Sequence, residues 1–278
     1  MKYIFDIVSK KSSKLTTNTY STSFSLGIRV FNKKYHNPIY AIYGFVRFAD
    51  EIVDSFHGFD KKKLLDKFRR DTFEAIEEGI SLNPIINSFQ WVVNEFNIDH
   101  ELIDLFLESM EMDLDQKEHD GESFKKYILG SAEVVGLMCL QVFVEGDKAR
   151  YEELKPSAMS LGSAFQKVNF LRDLNADKNQ LGRSYFPGLD VFNLNENSKS
   201  QIISDIEEDF SKAYVGIKQL PKGARFGVYV AYIYYLSLLR KIKRTDSKEI
   251  LQKRVRIPNS EKYSLLLSSA LRHAFNIL

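Results

Sequence analysis

Residues 166–177 read QKVNFLRDLNAD, and the interpretation of the whole chain starts from this stretch. A helix here would place four polar side chains within about 80° of one another on one face. These four are Gln166, Asn169, Asp173 and Asp177. Carboxylates four residues apart repel each other, which costs roughly 0.2–0.5 kcal/mol unless a cation lies between them. Carboxylate and amide oxygens suit Mg²⁺, which is often shared with substrate phosphates, so the stretch indicates a magnesium site.

The same helical face changes character towards the N-terminus. Its next residues are Gly162, Met159 and Ala158, which are small or apolar. A solvent-facing stripe would stay polar there, whereas the wall of a pocket with a charged mouth would become apolar. A single acidic pair is also typical of an ordinary solvated helix face. The hypothesis of a metal site therefore needs a second stretch of the same kind.

The segment YGFVRFADEIVD, residues 43–54, is that second stretch. Tyr43, Arg47, Asp50 and Asp54 fall within about 60° of one another on a helical wheel, although charges in water are the alternative interpretation. Two such helices facing each other would form a deep cavity with acidic rims. Opposed carboxylate pairs can bind several Mg²⁺ ions, which stabilise a diphosphate as a leaving group.

Arginines close to both stretches could neutralise the remaining phosphate oxygens. They are Arg47, Arg172 and Arg183. The planar guanidinium group matches the geometry of a phosphate, so these residues fit a diphosphate site. The alternative is that Arg47 and Arg172 pair with the neighbouring carboxylates.

Composition excludes several classes of protein. The 278 residues are 44% hydrophobic and 27% charged, with a net charge of +2, which is typical of a globular protein and gives no general field for nucleic acid. The single cysteine excludes an internal disulfide and fits a reducing, cytoplasmic compartment. No G-x-G occurs, so a Rossmann fingerprint and a P-loop are both absent. We also expect no membrane-spanning helix, because no stretch of about 18 uncharged apolar residues occurs.

Helical periodicity dominates the chain, and we predict one all-α domain over residues 1–278. Pro38, Pro84 and Pro156 suit first helical turns. The helices are predicted near residues 11–31, 38–56, 60–79, 83–96, 99–117, 122–145, 156–178, 197–219, 222–242 and 259–276.

Taken together, these segments resemble the squalene/phytoene synthase family. RFADEIVD, and QKVNFLRDLNAD followed by GRSYFP, are similar to its two aspartate-rich regions. TYSTSFSLGIRVF resembles its N-terminal Ser-x-Ser-Phe segment, MEMDLDQ and YILGSAEVVGLMC resemble its central helices, and YYLSLLRKI with KRVRIP resembles its C-terminal segment. The resemblance covers most of the chain and is closest to bacterial phytoene synthases of carotenoid biosynthesis.

The resemblance implies the all-α isoprenoid synthase fold, a helical bundle around a central cavity. It implies head-to-head condensation of two geranylgeranyl diphosphates to phytoene through a cyclopropylcarbinyl diphosphate, with release of diphosphate. Mg²⁺ would be required, Mn²⁺ could replace it, and no NADPH is expected. The alternative is squalene or dehydrosqualene synthesis from farnesyl diphosphate. A catalytically inactive scaffold relative would have lost the acidic pairs, and a terpene cyclase would not have the Asn-Phe-Leu-Arg-Asp context or the Ser-x-Ser-Phe segment. The enzyme would be cytoplasmic, with transient contact at the periphery of the inner membrane for product release.

The family's site residues carry over by motif. The metal ligands would be Asp50, Asp54, Asn169, Asp173 and Asp177. The substrate-binding residues would be Ser21, Ser23, Tyr43, Arg47, Gln166, Asn169, Arg172 and Tyr185. Tyr127 and Tyr235 would join the four aspartates as catalytic residues, lining the cavity.

Several of these assignments have simpler alternatives. The tyrosines could be core residues with satisfied hydroxyl groups, and Ser21 and Ser23 could be local caps. The first motif reads Asp-Glu-x-x-Asp where many relatives have two adjacent aspartates. Glu51 is expected to point partly away from the site.

Overall fold

A computed structural model describes residues 2–115, 119–176, 183–188, 194–258 and 269, without the side chain of Ser23. Asp177 and, apart from Ser269, the helix predicted over 259–276 lie outside this part of the chain. The described helices are α1 Lys2–Tyr20, α2 Thr22–Arg29, α3 Lys33–Asp54, α4 Lys61–Glu78, α5 Pro84–Phe96, α6 His100–Asp115, α7 Gly121–Ile128, α8 Val134–Val144, α9 Lys148–Ala176, α10 Glu196–Gln219, α11 Lys222–Arg244 and α12 Ser247–Ile250. A π-helical segment, Leu129–Glu133, joins α7 to α8.

Helix starts explain where the sequence-based boundaries were right and where they were wrong. Pro84 begins α5 as predicted, and the Asn83 side chain accepts a hydrogen bond from the Ile85 amide at 3.0 Å. Pro38 and Pro156 instead lie inside α3 and α9, because both helices begin further upstream. The helix predicted over 11–31 is two helices, α1 and α2, because Ser21 has an extended backbone between them.

The core is assembled around the inward face of α3. Phe45 is fully buried, and its ring stacks on Phe89 of α5 with centroids 3.9 Å apart. It also contacts Phe68 of α4 at 5.3 Å and Phe106 of α6 at 5.6 Å. Four helices therefore meet at one aromatic cluster, and this packing fixes which face of α3 turns away from the core.

Glycines let the helices that carry the site approach each other closely. A Cβ atom on Gly162 of α9 would lie 2.6 Å from the Ala132 carbonyl oxygen in the π-helical segment. A Cβ atom on Gly130 would collide with the Leu105 carbonyl oxygen of α6. Both positions need glycine because the backbones are almost in contact. Close helix packing is therefore what Gly130 and Gly162 provide.

The segment Gly121–Val144 is long and apolar enough to cross a membrane by composition alone. Its mean hydropathy is 1.8, and 56% of the window is buried inside the protein. The prediction of no membrane-spanning helix used a stricter criterion, about 18 uncharged apolar residues in a row, which this segment does not meet because Glu122, Lys126 and Glu133 lie within it. Core helices of soluble proteins also pass the test of length and composition, and this segment packs against α6 and α9.

Candidate functional site

The first acidic motif lies on the last turns of α3. Ala49 and Val53 are buried, while Asp50 and Asp54 are partly exposed on the other side of the helix. The Arg47 guanidinium donates to Asp50 at 2.5 Å and also pairs with Glu51. Glu51 thus shares the Arg47 guanidinium with Asp50 and belongs to the same charged cluster.

The surroundings of Asp50 disfavour its ionised form. Burial raises its pKa to about 6, and the neighbouring Asp54 carboxylate adds to that rise. The Arg47 and Arg183 charges act in the opposite direction. A divalent cation would favour the ionised carboxylates of both residues, so the pair fits the donor chemistry expected of a magnesium site.

A buried network that the sequence interpretation missed lies beside this pair. Arg183 donates to Asp54 at 2.7 Å and to the backbone oxygen of Asp113 at 2.9 Å. Its guanidinium also lies 3.4 Å from the Asp113 carboxylate. The Tyr127 and Tyr185 hydroxyl groups donate to Asp113 at 2.7 and 3.3 Å. Asp113 therefore joins α6 to α7, to the segment after α9 and, through Arg183, to α3.

The sequence contains a signal that could have identified Asp113 as a buried carboxylate with specific partners. Asp113 lies on the apolar face of α6, three residues after Met110 and seven after Phe106, where both neighbours are buried. A carboxylate at such a position must find partners or become protonated. Burial raises the pKa of Asp113 to about 7, although the Arg183 charge and the Tyr127 hydrogen bond oppose that rise.

Aromatic rings connect this network to the second acidic helix. Phe170 of α9 stacks on Tyr185 with centroids 4.0 Å apart. His119 contacts Tyr127 at 5.0 Å and stacks on Tyr185 at 5.6 Å. Tyr127 is buried, and its pKa is raised well above the usual value by burial and by Asp113. Both tyrosines are thus core residues and members of the polar network at once.

The second acidic motif ends α9. The Arg172 guanidinium binds the Asp173 carboxylate through two nitrogens, with Nε at 3.0 Å. Arg254, which follows α12, binds the same carboxylate with Nε at 2.6 Å. Two arginines therefore surround Asp173, in contrast to the acidic environment of Asp50.

Polar residues one and two turns earlier on α9 face α11. The Asn169 amide donates to the Gln166 side-chain oxygen at 3.4 Å, and its own oxygen accepts from the Tyr235 hydroxyl group at 3.3 Å. The Tyr235 ring stacks on Phe165 at 4.0 Å. Burial raises the Tyr235 pKa, so its phenol stays protonated and able to donate.

Tyr43 lies between the first acidic motif and Tyr235 of α11. Burial raises its pKa; Arg47 and a hydrogen bond with Ser21 lower it, and Asp50 and Tyr235 raise it further. These influences act at short range, so Tyr43 lies among residues of α3, α11 and the start of α2. Ser21 also caps α2 by accepting from the Phe24 amide at 3.1 Å, which was its simpler predicted role.

The predicted residues therefore assemble into one region. The structure brings together Ser21, Tyr43, Arg47, Asp50, Asp54, Tyr127, Gln166, Asn169, Arg172, Asp173, Tyr185 and Tyr235. Asp177 and the side chain of Ser23 lie outside the described residues.

Metal binding by the described residues of this region would need further ligands. No group of three or more His, Cys, Asp or Glu side chains is arranged to hold a metal ion within the part of the chain that the structure describes. Mg²⁺ commonly binds through one or two carboxylates, with water and substrate phosphates completing its coordination. The carboxylates of α3 and α9 fit that mode of binding and do not fit a closed protein cage.

Several curated proteins with similar sequences are named as phytoene synthases. Phytoene synthase 1 of Solanum lycopersicum chloroplasts is 27% identical over 262 residues, covering 87% of this chain and 63% of the relative. This chain thus spans about 63% of that relative's length. Phytoene synthase of Arthrospira platensis is 25% identical over 283 residues, covering 92% of this chain and 90% of the relative.

Solved structures share the helical architecture. A dehydrosqualene synthase in complex with a ligand superposes with a TM-score of 0.81 at 20% identity, covering 95% of this chain and 96% of the other. A squalene synthase from Alicyclobacillus acidocaldarius superposes with a TM-score of 0.73 at 19% identity, covering 85% and 93%. The prediction of the all-α isoprenoid synthase fold is confirmed.

The squalene/phytoene synthase family model matches residues 17–261, which include α2 to α12 and both acidic motifs. Because this match covers most of the sequence, the predicted resemblance is confirmed. The chain belongs to the squalene/phytoene synthase family.

Proposed function

We propose that this protein joins two geranylgeranyl diphosphates head to head and forms phytoene. The proposal depends above all on one observation, the neighbouring carboxylates Asp50 and Asp54 at the end of α3, which lie against the guanidinium groups of Arg47 and Arg183. Such a pair is suited to a cation that carries a diphosphate. The phytoene synthase names of the similar proteins support the choice of reaction.

The carboxylates would hold the metal. In this proposal Asp50 and Asp54 act from α3, and Asn169, Asp173 and Asp177 act from the second motif. Bound Mg²⁺ would stabilise the departing diphosphate as a Lewis acid, and Mn²⁺ could replace it.

The arginines would move between two partners. Arg47 and Arg172 pair with carboxylates in the structure. A guanidinium binds carboxylate and phosphate in the same forked geometry, so both side chains could turn to diphosphate oxygens when a substrate arrives. Gln166, Ser21 and Ser23 would supply further polar contacts to the diphosphate.

The tyrosines would hold their protons. Burial raises the pKa of Tyr43, Tyr127 and Tyr235, so these phenols remain neutral donors at physiological pH. Neutral donors can orient a diphosphate without adding charge to a cavity in which a carbocation forms. Tyr185 and Tyr127 would be held in place together, because both hydroxyl groups donate hydrogen bonds to the Asp113 carboxylate. The reaction needs no reductant, so we expect no role for NADPH.

The decisive experiment is to identify the hydrocarbon product. Purified protein would be incubated with Mg²⁺ and equal amounts of geranylgeranyl and farnesyl diphosphate, with and without NADPH, and the products analysed by mass. We expect phytoene in both cases. Dehydrosqualene, or squalene formed only with NADPH, would overturn the choice of substrate while leaving the condensation chemistry intact. No hydrocarbon at all would contradict the proposed function.

We also propose a cytoplasmic protein that contacts a membrane transiently. Its product would be insoluble in water, so release into the aqueous phase is unfavourable. Partitioning of the product into a bilayer would remove that barrier. Fractionation of cells that express the protein at a native level would test this location.

A further inference from the structure

Helix α1 buries polar side chains and exposes apolar ones, which is the reverse of an ordinary surface helix. Its buried residues are Ser9, Ser13 and Thr17, all small and polar. The helix also carries five of the ten large hydrophobic side chains that are exposed among the described residues. These five are Tyr3, Ile4, Val8, Leu15 and Tyr20. A surface helix of a globular protein normally turns its apolar stripe inwards, so this arrangement requires an explanation.

The inner face of α1 does not need its apolar residues. Ser13 shares a hydrogen bond of 2.5 Å with Ser88 of α5, and Asn87 donates to Ser9 at 3.0 Å. Ser13 also packs against Gly44 of α3, where an added Cβ atom would lie 3.0 Å from the serine hydroxyl group. Small polar contacts thus hold α1 close to α3 and α5. The apolar residues outside are therefore not displaced core residues.

The outward side combines apolar residues with positive charge. Ile4, Val8 and Leu15 fall within about 40° of one another on a helical wheel, and Lys11 lies about 20° from that stripe. All four are exposed. The helix contains four lysines and one acidic residue, Asp6, which is partly buried and paired with Lys2 at 3.2 Å. We call the stripe Ile4, Val8, Lys11 and Leu15 the α1 face.

The helix that carries this face ends at the candidate site. The Arg47 guanidinium lies over the Tyr20 ring, 4.3 Å from its centroid. The next residue, Ser21, shares a hydrogen bond with Tyr43. Tyr20 lies about 150° from the α1 face on the same wheel, so the C-terminal end of α1 touches the candidate site while the α1 face points away from that contact.

We propose that the α1 face docks on the surface of an anionic lipid bilayer. An exposed apolar stripe flanked by lysines and free of exposed acidic residues is the pattern of a helix that lies in a membrane interface. Lysines near the surface are attracted by anionic lipids, which selects the bilayer over an uncharged apolar partner. The biological purpose rests on the proposed function, because prenyl substrates and a hydrocarbon product would exchange with the bilayer.

Vesicle binding tests this directly, without substrate. The full chain would be sedimented with vesicles of phosphatidylcholine alone and with vesicles containing 30% phosphatidylglycerol, at low and high salt. We expect binding to the anionic vesicles, weakened by salt and much weaker to pure phosphatidylcholine. Absence of binding to anionic vesicles would overturn the proposal.

Two variants and a matched control locate the contact. The double variant Ile4→Ser with Leu15→Ser should lower the vesicle partition coefficient about tenfold or more. The single variant Lys11→Glu should also lower this coefficient, and its effect should be larger at low salt than at high salt. Leu82→Ser removes an equally exposed apolar side chain elsewhere and should change nothing. Melting temperatures should stay unchanged in all three, because the substituted side chains are exposed.

Other results would contradict the inference in recognisable ways. Equal vesicle binding by the double variant would place the contact elsewhere. A dimer in light scattering that the double variant dissociates, together with no vesicle binding, would make the α1 face a contact between two copies. Hydrocarbon synthesis in detergent would be measured separately, so failure of vesicle binding and failure of the proposed activity remain distinguishable.

Discussion

Arg183 donates a hydrogen bond to Asp54 at 2.7 Å, although 129 positions separate them in the chain. The same guanidinium lies 3.4 Å from the Asp113 carboxylate, which is buried on α6. The short segment after α9 thus reaches back to the first acidic helix and closes the charged region on one side. Removal of either carboxylate would change the partners of one arginine, so we expect substitutions here to affect both stability and the proposed catalysis.

The acidic residues of the two motifs should respond differently to neutralisation. Asp50→Asn should reduce turnover by about a thousandfold or more, because metal stabilisation of the leaving group contributes several kcal/mol. The free energy of unfolding should stay equal or rise, since the substitution relieves repulsion from Asp54. Steady-state kinetics and denaturant unfolding would measure both effects. Asp66→Asn is the control, because Asp66 is exposed and pairs only with Lys62 in the structure.

Asp173→Asn should also lose turnover by about a thousandfold, but it should destabilise the protein by about 1–3 kcal/mol. Arg172 and Arg254 both bind this carboxylate, and the substitution leaves two guanidinium groups without their acceptor. Unfolding in urea would measure the difference from Asp50→Asn. Equal stability of the two variants would contradict the charge distribution described for the site.

Asp113 should make the folded state less stable as the pH rises. Its pKa is raised to about 7 in the folded protein, above the ordinary value of 3.8, so the folded state holds the proton more tightly. The contribution of Asp113 to the free energy of unfolding is therefore fully present below about pH 4 and is lost as the pH rises through about 7. Asp113→Asn should flatten the fall in unfolding free energy between pH 5 and pH 8. A profile of the same slope in wild type and variant would show that Asp113 is ionised throughout.

Arg172→Lys should impair catalysis more than conservation of charge suggests. The guanidinium binds Asp173 with two nitrogens, and lysine has no equivalent planar fork. We expect kcat/KM to fall at least tenfold with little change in melting temperature. Arg70→Lys, a change at an exposed ion pair with Glu74, is the matched control. Kinetics that match wild type would mean that Arg172 makes no specific phosphate contact.

The preference for one substrate chain length should depend on Ala158 more than on the nearby glycines. Ala158→Phe should shift preference towards farnesyl diphosphate, because overfilling a pocket costs roughly 1–3 kcal/mol. Gly162→Ala should lower stability without a selective shift, since its Cβ atom would meet the Ala132 carbonyl oxygen at 2.6 Å. Competition between both substrates, with products identified by mass, would separate the two effects. An unchanged product ratio for Ala158→Phe would place the end of the substrate chain elsewhere.

Local sequence signals predicted many helices well. The helix predicted over 60–79 is α4, which is capped by Asp60 and ends at Gly79 in the left-handed conformation. The helix predicted over 197–219 is α10, which Asn195 caps. These ends depend on side chains within a few residues, so the sequence contains the necessary information.

Contacts between distant segments could not be predicted in this way. The pairing of Arg183 with Asp54 and Asp113 depends on how α3, α6 and the segment after α9 pack together. The polar inner face of α1 also reverses the usual rule for surface helices, because its partners Ser88 and Asn87 lie on α5. Periodicity in the sequence identifies a polar or apolar face of a helix, but it does not identify the helix against which that face packs.

The most direct test of a diphosphate site shared by α3 and α9 is the change in melting temperature when diphosphate is added. Inorganic diphosphate would be added to wild type, Asp50→Asn and Asp173→Asn, with Mg²⁺ or with EDTA, and the melting temperature recorded. We predict a clear rise for wild type with Mg²⁺, no rise with EDTA, and loss of the rise in both variants, because the ions bridge ligand and carboxylates. A rise of the same size in EDTA, retained by both variants, would instead mean that arginines alone bind the diphosphate.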